Sequence, residues 1–466
     1  MFKNFNKDQS REAIILDSGE KIYYRKIIQD SDYIIKNFDS KRSLIFILCD
    51  NDYETVVSYI ACLRSDHIPY LLDFNLPEKK INELIKLYKP RYLICKKKTL
   101  SLLKKFKLKN SFYNNRIFET AFKMHTINEK LFLLLSTSGT TGDPKLVRLS
   151  KDNLITNTNQ IIDYLKIDKS HRSVSTLPIY YTYGLSILNT HLYSGGSIYI
   201  TKKTFFEKIF WKNFYNFKIN NFGGVPFNYQ ILLKLNFSNM ITKYIRYITQ
   251  AGGKLHENDY FKIEKICEKK KIKFISMYGQ TEATSRMSYI PWNKRKLMKG
   301  SIGKPIKGGE FFLYSGEKKV KKINVEGEIV FKGNNVCLGY SFNSNDLSKG
   351  DENKGVLRTG DLGVYDRDEN IKITGRKSRF VKIHGLRINL DEIEKALLED
   401  GFECVCLGNN EKVEIFYTQK NMSNRIKNLL KEKLNLLARD VILYNVKIIP
   451  RSKIGKIDYK KLNELK

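Results

Sequence analysis

Between residues 43 and 96, short apolar runs alternate with segments whose apolar residues recur every three or four positions. SLIFILCD (43–50) reads as a buried strand, and YETVVSYIACLRS (53–65) follows with helical spacing. Residues 68–72, IPYLL, return to strand. PEKKINELIKLYKP (77–90) predicts an amphipathic helix with Pro in its first turn and a second Pro past its end, and RYLICK (91–96) is a further strand. This alternation predicts an α/β protein built on mostly parallel sheets with crossover helices. From about residue 310 the texture changes. EFFLYSG, GEIVFKG and GVYDRDENIKITGR are Gly-punctuated strands with few helices between them, a β-rich subdomain over about 310–376. After Gly375 and Arg376, a basic stretch leads into NLDEIEKALLED (389–400), a helix that Asn389 or Asp391 can cap. Strand, strand, helix (423–437), strand and a polar tail follow. The expected organisation is a large N-terminal domain, 1–376, and a small α+β C-terminal domain, 377–466.

Composition narrows the class. The 466 residues are 42% hydrophobic and 28% charged, an ordinary soluble globular balance that excludes collagen, a disulfide scaffold and global disorder. Lys plus Arg number 83 against 49 Asp plus Glu, a formal charge of +34. Such an excess raises nucleic acid, anionic membrane or an acidic partner. Here it is spread along the chain in short, separated runs such as Lys96–Lys98 and Lys269–Lys271, the pattern of solvated faces, so no nucleic acid is expected. The seven cysteines are scattered and lack metal-ligand spacing. The start, MFKNFNKDQSREAIIL, has no apolar core for a signal peptide, and no apolar stretch is long enough to span a membrane. The expected setting is the cytoplasm.

Three segments carry chemistry. In LFLLLSTSGTTGDPKLVRLS (131–150) an apolar strand runs into Thr137, Ser138, Gly139, Thr140, Thr141, Gly142 and, closing the loop, Lys145. Hydroxyls interleaved with glycines suit a phosphate cradle. A Walker loop is excluded, because no Gly-Lys-Ser/Thr follows. In KFISMYGQTEATSRM (273–287) another strand enters a polar turn: Tyr278 offers a flat face to a purine, Gly279 follows it, Thr281 brings a hydroxyl, and Glu282 a hard oxygen suited to Mg²⁺. In residues 356–394, Asp361 stands where it can accept hydrogen bonds from a ribose diol, with Arg376 fifteen residues on. Lys456 follows Gly455 in the polar tail, and spacing alone does not single it out.

In order and rough spacing, STSGTTGDPK, YGQTE, GEIVFKGNNVCLGY, RTGDLG and the final GKID resemble the adenylate-forming superfamily of acyl-CoA synthetases, luciferase-like enzymes and peptide-synthetase adenylation domains. The resemblance covers nearly the whole chain. It implies that a carboxylate attacks the α-phosphate of ATP, giving an acyl-adenylate and pyrophosphate, and that a thiol, coenzyme A or a carrier protein's phosphopantetheine, then takes the acyl group. It further implies that residues 137–145 hold the β,γ-phosphates, Tyr278 stacks on adenine, Thr281 touches the α-phosphate, Glu282 holds Mg²⁺, and Asp361 with Arg376 grips the ribose. Lys456 matches the adenylation lysine, so Lys456, Thr281 and Glu282 form the expected catalytic set. The C-terminal domain is expected to rotate between half-reactions about a hinge at 376–379. Ser378 stands there where the family usually has Asp or Lys. Lys382 and Gly385 fall where the thiol tunnel is lined.

For the acid, LPIYYTYGLSILNTHLYSGG (177–196) resembles one wall of the acyl pocket. Tyr181 stands where many acyl-CoA synthetases have His. Thr182 stands where amino-acid-activating members have an Asp for the ammonium, so a free α-amino acid is disfavoured. Tyr183 and Gly184 continue that wall, and Gln250, Gly252 and Gly253 match the pocket floor. A small or polar organic acid, or an N-acylated amino acid, fits better than a long fatty chain. Two other readings stand beside this one: a stand-alone amino-acid adenylation enzyme charging a carrier protein, and a non-catalytic basic binding protein on the same scaffold. An acidic acyl carrier protein is a possible partner, since +34 would steer it productively.

Overall fold

The apolar runs of the first third become the centre of an eight-stranded sheet. The computed structural model describes residues 9–96, 101–123, 125–137, 145–383, 386–409, 412–434, 436–452 and 455–466. In it, Leu44–Cys49 pairs in parallel with both Ile68–Asp73 and Tyr92–Lys96, and Ile68–Asp73 pairs in parallel with Leu131–Ser136. Antiparallel strands extend both edges: Leu146–Ser150 and Gly339–Ser341 on one side, Asn115–Glu119 and Lys107–Phe112 on the other. All six residues of Leu44–Cys49 are buried, which is why that strand is apolar without alternation. The crossover helix Tyr53–Arg64 starts where the Asp52 carboxylate accepts from the Thr55 amide at 3.0 Å. The next helix runs Glu78–Tyr88, with Pro77 as its N-terminal cap and Lys89 left-handed (φ 47°) just before Pro90.

The chain divides into two compact units. The first holds residues 1–299, 303–310 and 332–357. Besides the eight-stranded sheet it contains a five-stranded sheet, in which Asn221–Gly224, Tyr247–Gln250 and Lys273–Tyr278 are parallel, and a four-stranded sheet that includes Glu12–Ile15. Helix Thr182–Tyr193 is buried from Thr182 to Leu192 and shares its apolar cluster with Leu135, Val147, Ile161 and Met277. Enclosed on all sides, it buries polar Thr182, Ser186, Asn189, Thr190 and His191 along with its apolar residues.

The second unit holds 300–302, 311–331 and 358–466. Most of a second five-stranded sheet belongs to it, including Val356–Tyr365 and Ile371–Arg376, joined antiparallel. The hairpin Phe380–Ile383/Leu386–Asn389 and a three-stranded sheet (Cys404–Asn409, Lys412–Tyr417, Val441–Asn445) follow. Helices Leu390–Glu399 and Ser423–Leu434 share a core of Ile393, Leu397, Ile415, Ile426 and Leu430. Asn389 is the cap of the first, its side chain accepting from the Asp391 amide. The boundary expected at 377 lies inside this unit.

Candidate active site

Strand Lys273–Tyr278 ends in a turn that the sequence makes unusually tight. A Cβ on Gly279 would lie 1.8 Å from the Ser285 carbonyl oxygen, so only glycine fits. Residues Thr281–Ala283 form a single 3-10 turn, after which Thr284 (φ 58°) and Ser285 (φ 109°) both take left-handed backbone. Non-glycine residues hold such angles only when their surroundings impose them. Here the segment 335–337 does so. The Thr284 hydroxyl donates to the Asn335 carbonyl at 2.7 Å, the Asn335 amide donates to the Ala283 carbonyl at 2.8 Å, and the Cys337 amide donates to the Glu282 carbonyl at 2.8 Å. The braced turn fixes Thr281 and Glu282.

Glu282 is tied to the end of the Ser/Thr/Gly loop by a residue given no role in the sequence reading. The Tyr340 hydroxyl donates to Glu282 Oε1 at 2.8 Å, and the Lys145 ammonium sits over the Tyr340 ring, 4.1 Å from its centroid. Burial, then the adjacent Glu282 carboxylate, push the Tyr340 phenol well above its ordinary pKa and keep it a donor. Tyr340 is itself held by Arg148, which is fully buried. Arg148 Nε donates to the Tyr340 carbonyl at 3.0 Å. Its Nη atoms bond the Lys349, Gly350 and Leu338 carbonyls and the Glu352 carboxylate. Lys145 is thereby held to the face, and Glu282 to the hydroxyl, of one tyrosine. Among the described residues no lysine or arginine pairs with Glu282. A single carboxylate with an oxygen to spare fits Mg²⁺, which takes one or two carboxylates and completes its shell with water and substrate phosphates.

One wall residue meets the same turn. The Thr182 hydroxyl lies 2.9 Å from the Thr281 hydroxyl. Tyr183 reaches Thr249, with its hydroxyl 2.9 Å from the carbonyl and 2.8 Å from the side-chain oxygen. A Cβ on Gly252, which is left-handed (φ +84°), would come within 2.5 Å of the Tyr181 hydroxyl. Burial pushes the Tyr181 phenol up to about 12. Gly184 is packed on the Pro178 carbonyl, 2.3 Å from where its Cβ would stand. The Gln250 amide group is taken up locally, accepting from Ser276 Oγ at 3.1 Å and donating to the Gly253 carbonyl at 2.8 Å. It shapes the Gly252–Gly253 turn. The second residue without an assigned role is Arg286, 2% exposed beneath this wall, its guanidinium 4.9 Å from the centroid of the Tyr183 ring.

In the second unit, Asp361 and Arg376 face each other across the antiparallel ladder, and Arg376 Nε donates to the buried Asp361 carboxylate at 2.7 Å. Ser378 is exposed in the turn after Arg376. Lys382 lies on strand Phe380–Ile383. Lys456 follows left-handed Gly455 (φ 74°), and its carbonyl accepts from the Ser452 amide at 2.7 Å. Ser138, Gly139, Thr140, Thr141, Gly142 and Gly385 lie outside the described residues, while Thr137 and Lys145 flank the first five of them. Among the described residues no group of three or more His, Cys, Asp or Glu side chains could hold a metal, and no helix is long and apolar enough to cross a membrane.

Known proteins resemble this chain in sequence and in fold. Residues 2–341 match the AMP-binding enzyme family. An oxalate–CoA ligase of Arabidopsis thaliana is 30% identical over 57% of this chain and 52% of its own length, and one of Saccharomyces cerevisiae 27% identical over 71% and 62%. The chain thus spans half to three-fifths of those relatives. A D-alanine–D-alanyl carrier protein ligase of Bacillus licheniformis is 23% identical over 99% of this chain and 98% of its own. The structure of ATP-bound MatB from Rhodopseudomonas palustris superposes with a TM-score of 0.81 at 22% identity, covering 99% of this chain and 97% of that one. MenE from Bacillus subtilis with ATP and magnesium ion does so at 0.77 and 19% identity, covering 98% and 97%. This chain belongs to the AMP-binding enzymes, the adenylate-forming family of CoA and carrier-protein ligases.

Proposed function

We propose that the chain joins a short carboxylic acid to ATP as an acyl-adenylate and then hands the acyl group to a thiol. One acid oxygen attacks the α-phosphorus, the bond to the β-phosphate bridging oxygen breaks, and pyrophosphate leaves. The thiol sulfur then attacks the acyl carbon and AMP departs. The observation that carries this reading is the Lys145–Tyr340–Glu282 array beside Thr281. The difficulty in the first step is an anion approaching a polyanion, and such a reaction is accelerated by placed charge and fixed geometry. Lys145 and the loop before it would neutralise the outer phosphates, and Thr281 would steady the α-phosphate. Glu282 would hold Mg²⁺, which supplies charge neutralisation on the triphosphate when bound. Asp361 and Arg376 would grip the ribose, and Lys456 would bridge the two reacting anions, an interaction strongest in the transition state.

Residues 377–466 would act as the lid, turning about Ser378. The side chains on either side of it support that pivot. Lys377 is fastened to Glu328 at 2.8 Å, whereas Arg379 is fastened to Asp391, Glu394 and Tyr459. The turn between two such anchors is where backbone rotation meets least resistance.

The wall favours a short acid. The Tyr181 hydroxyl reaches Gly252 and the Tyr183 hydroxyl reaches Thr249, so two rings lie where a long chain would run. The oxalate named for two relatives is such an acid. Loading of a carrier protein is the second reading of the thiol step, favoured by the near full-length likeness to the D-alanyl carrier protein ligase. Buried Arg286 speaks against an ammonium-bearing acid, since like charges would be desolvated together. The test is pyrophosphate release with hydroxylamine trapping across short, hydroxy, aryl, long-chain and amino acids. Activity in the wild type that Lys456→Ala abolishes supports the proposal. Turnover confined to long-chain acids would contradict the short-acid reading.

A further inference from the structure

Buried charge is costly unless it is paired, and the largest fully buried side chains of this protein are two arginines, Arg148 and Arg286. Arg148 has a carboxylate and four carbonyls. Arg286 has only neutral partners: Nη1 reaches Tyr164 Oη at 2.9 Å and Met277 Sδ at 3.0 Å, and Nη2 reaches Ser186 Oγ at 3.1 Å. Its Nε is buried with no hydrogen-bond partner among the described residues. Among the described residues no carboxylate pairs with it. Guanidinium stays charged in proteins, so the cost is not relieved by losing a proton.

The position of this charge supplies the reason to keep it. Arg286 belongs to the turn that carries Thr281 and Glu282, and its guanidinium lies over Tyr183, next in sequence to the Thr182 that meets Thr281. On the other edge Nη2 touches Ser186, one turn along the same helix. We propose that Arg286 receives the second carboxylate of a short dicarboxylic acid, whose first carboxylate is the one adenylated; this rests on the acid-activation reading above. Nε and Nη2 lie on one edge of the guanidinium, the edge that accepts a carboxylate through two parallel hydrogen bonds. Among the described residues that edge carries only the rotatable Ser186 hydroxyl. The acid must be short, because Tyr181 and Tyr183 fill the wall. An alkyl end in the same place would leave the cation unpaired, so the site selects by charge as well as size.

The experiment measures kcat/KM for pyrophosphate release with oxalate, malonate and succinate, each against its monomethyl ester, which is nearly isosteric but carries one charge fewer. Wild type is expected to prefer at least one diacid over its half-ester by about 100-fold or more, because a site with a buried polar partner rejects the analogue that leaves it unpaired. Arg286→Gln is expected to bring that ratio to within a few-fold by losing the diacid rate. Arg286→Lys, which keeps the charge, should retain part of the preference. A wild type that uses half-esters or simple monoacids better than diacids overturns the assignment and leaves adenylation standing, as does a ratio that Arg286→Gln does not change. No pyrophosphate with any acid of the wider panel overturns both readings. The wild-type ratio decides even where a variant fails to fold.

Discussion

Arg148 and Arg286 are equally buried and lie in the same unit, yet their surroundings differ in kind. Around Arg148 the backbone of residues 338–350 turns its carbonyls inward, and Glu352 supplies the counter-charge. Its guanidinium holds the Tyr340 strand against Leu146–Ser150, and with it the ring that Lys145 and Glu282 share. Around Arg286, among the described residues, no carboxylate and no carbonyl is presented to the guanidinium, only hydroxyls and a sulfur that have other partners. Tyr164 also donates to Met277 Sδ, and Ser186 to the Tyr183 carbonyl. A saturated buried cation is scaffold. An unsaturated one, placed beside the turn that carries Thr281 and Glu282, fits a substrate that brings the missing charge.

The largest separation between the two regions should appear in stability. Arg148→Met removes the partner of several buried carbonyls at once and is expected to lower unfolding free energy by about 3 kcal/mol or more, read from denaturant midpoints. Next comes the loss of diacid preference in Arg286→Gln described above. Tyr340→Phe keeps the ring under Lys145 but removes the hydrogen bond to Glu282. If Glu282 holds Mg²⁺ as proposed, this should raise the Mg²⁺ concentration needed for half-maximal pyrophosphate release by about 10-fold, the effect of losing a residue that orients a ligand without touching the metal, while the diacid to half-ester ratio stays unchanged. A change in that ratio would mean that the two regions are not separable.

A smaller effect concerns His191, which shares helix Thr182–Tyr193 with Tyr183 and Ser186. Burial holds its imidazole down to about 4, from an ordinary 6.5. Above pH 6.5 it is neutral folded or unfolded and contributes no pH dependence. Between 6.5 and about 4 the unfolded chain takes up a proton that the folded chain refuses, so stability falls across that window and this loss levels off below it. His191→Gln should flatten this part of the acid limb of a midpoint-against-pH curve. Least of all, Glu352→Gln is expected to cost within about 1 kcal/mol, since its carboxylate is half-exposed. A cost as large as that of Arg148→Met would place the clamp in the ion pair instead of the carbonyls.

What was legible in the sequence follows the range of the interactions responsible. Leu44–Cys49, Tyr53–Arg64 and Glu78–Tyr88 are set by spacing and caps within a few residues, and they lie where the pattern places them. Asn389 caps Leu390–Glu399 for the same reason. Thr281, Glu282 and Thr182 were legible as residue types in motifs, and the fold brings them together. Arg286 stood in the same string, TEATSRM, without a signal of its own. Its burial depends on left-handed Thr284 and Ser285, which are braced by Asn335 about fifty positions away. Tyr340 stood in GEIVFKGNNVCLGY, and its role appears only once Arg148 draws that strand beside Lys145. Long-range polar contacts of this sort leave no periodicity to read.

The most direct test is the denaturant midpoint of Arg286→Met beside those of wild type and Arg148→Met. If Arg286 is kept for a ligand's charge, an apolar side chain of similar length should leave the ligand-free protein as stable as wild type or more so, because its neighbours retain other partners and an uncompensated buried charge is gone. The same variant should lose diacid turnover. A midpoint lowered as far as that of Arg148→Met would contradict the account, since it would make Arg286 part of the scaffold.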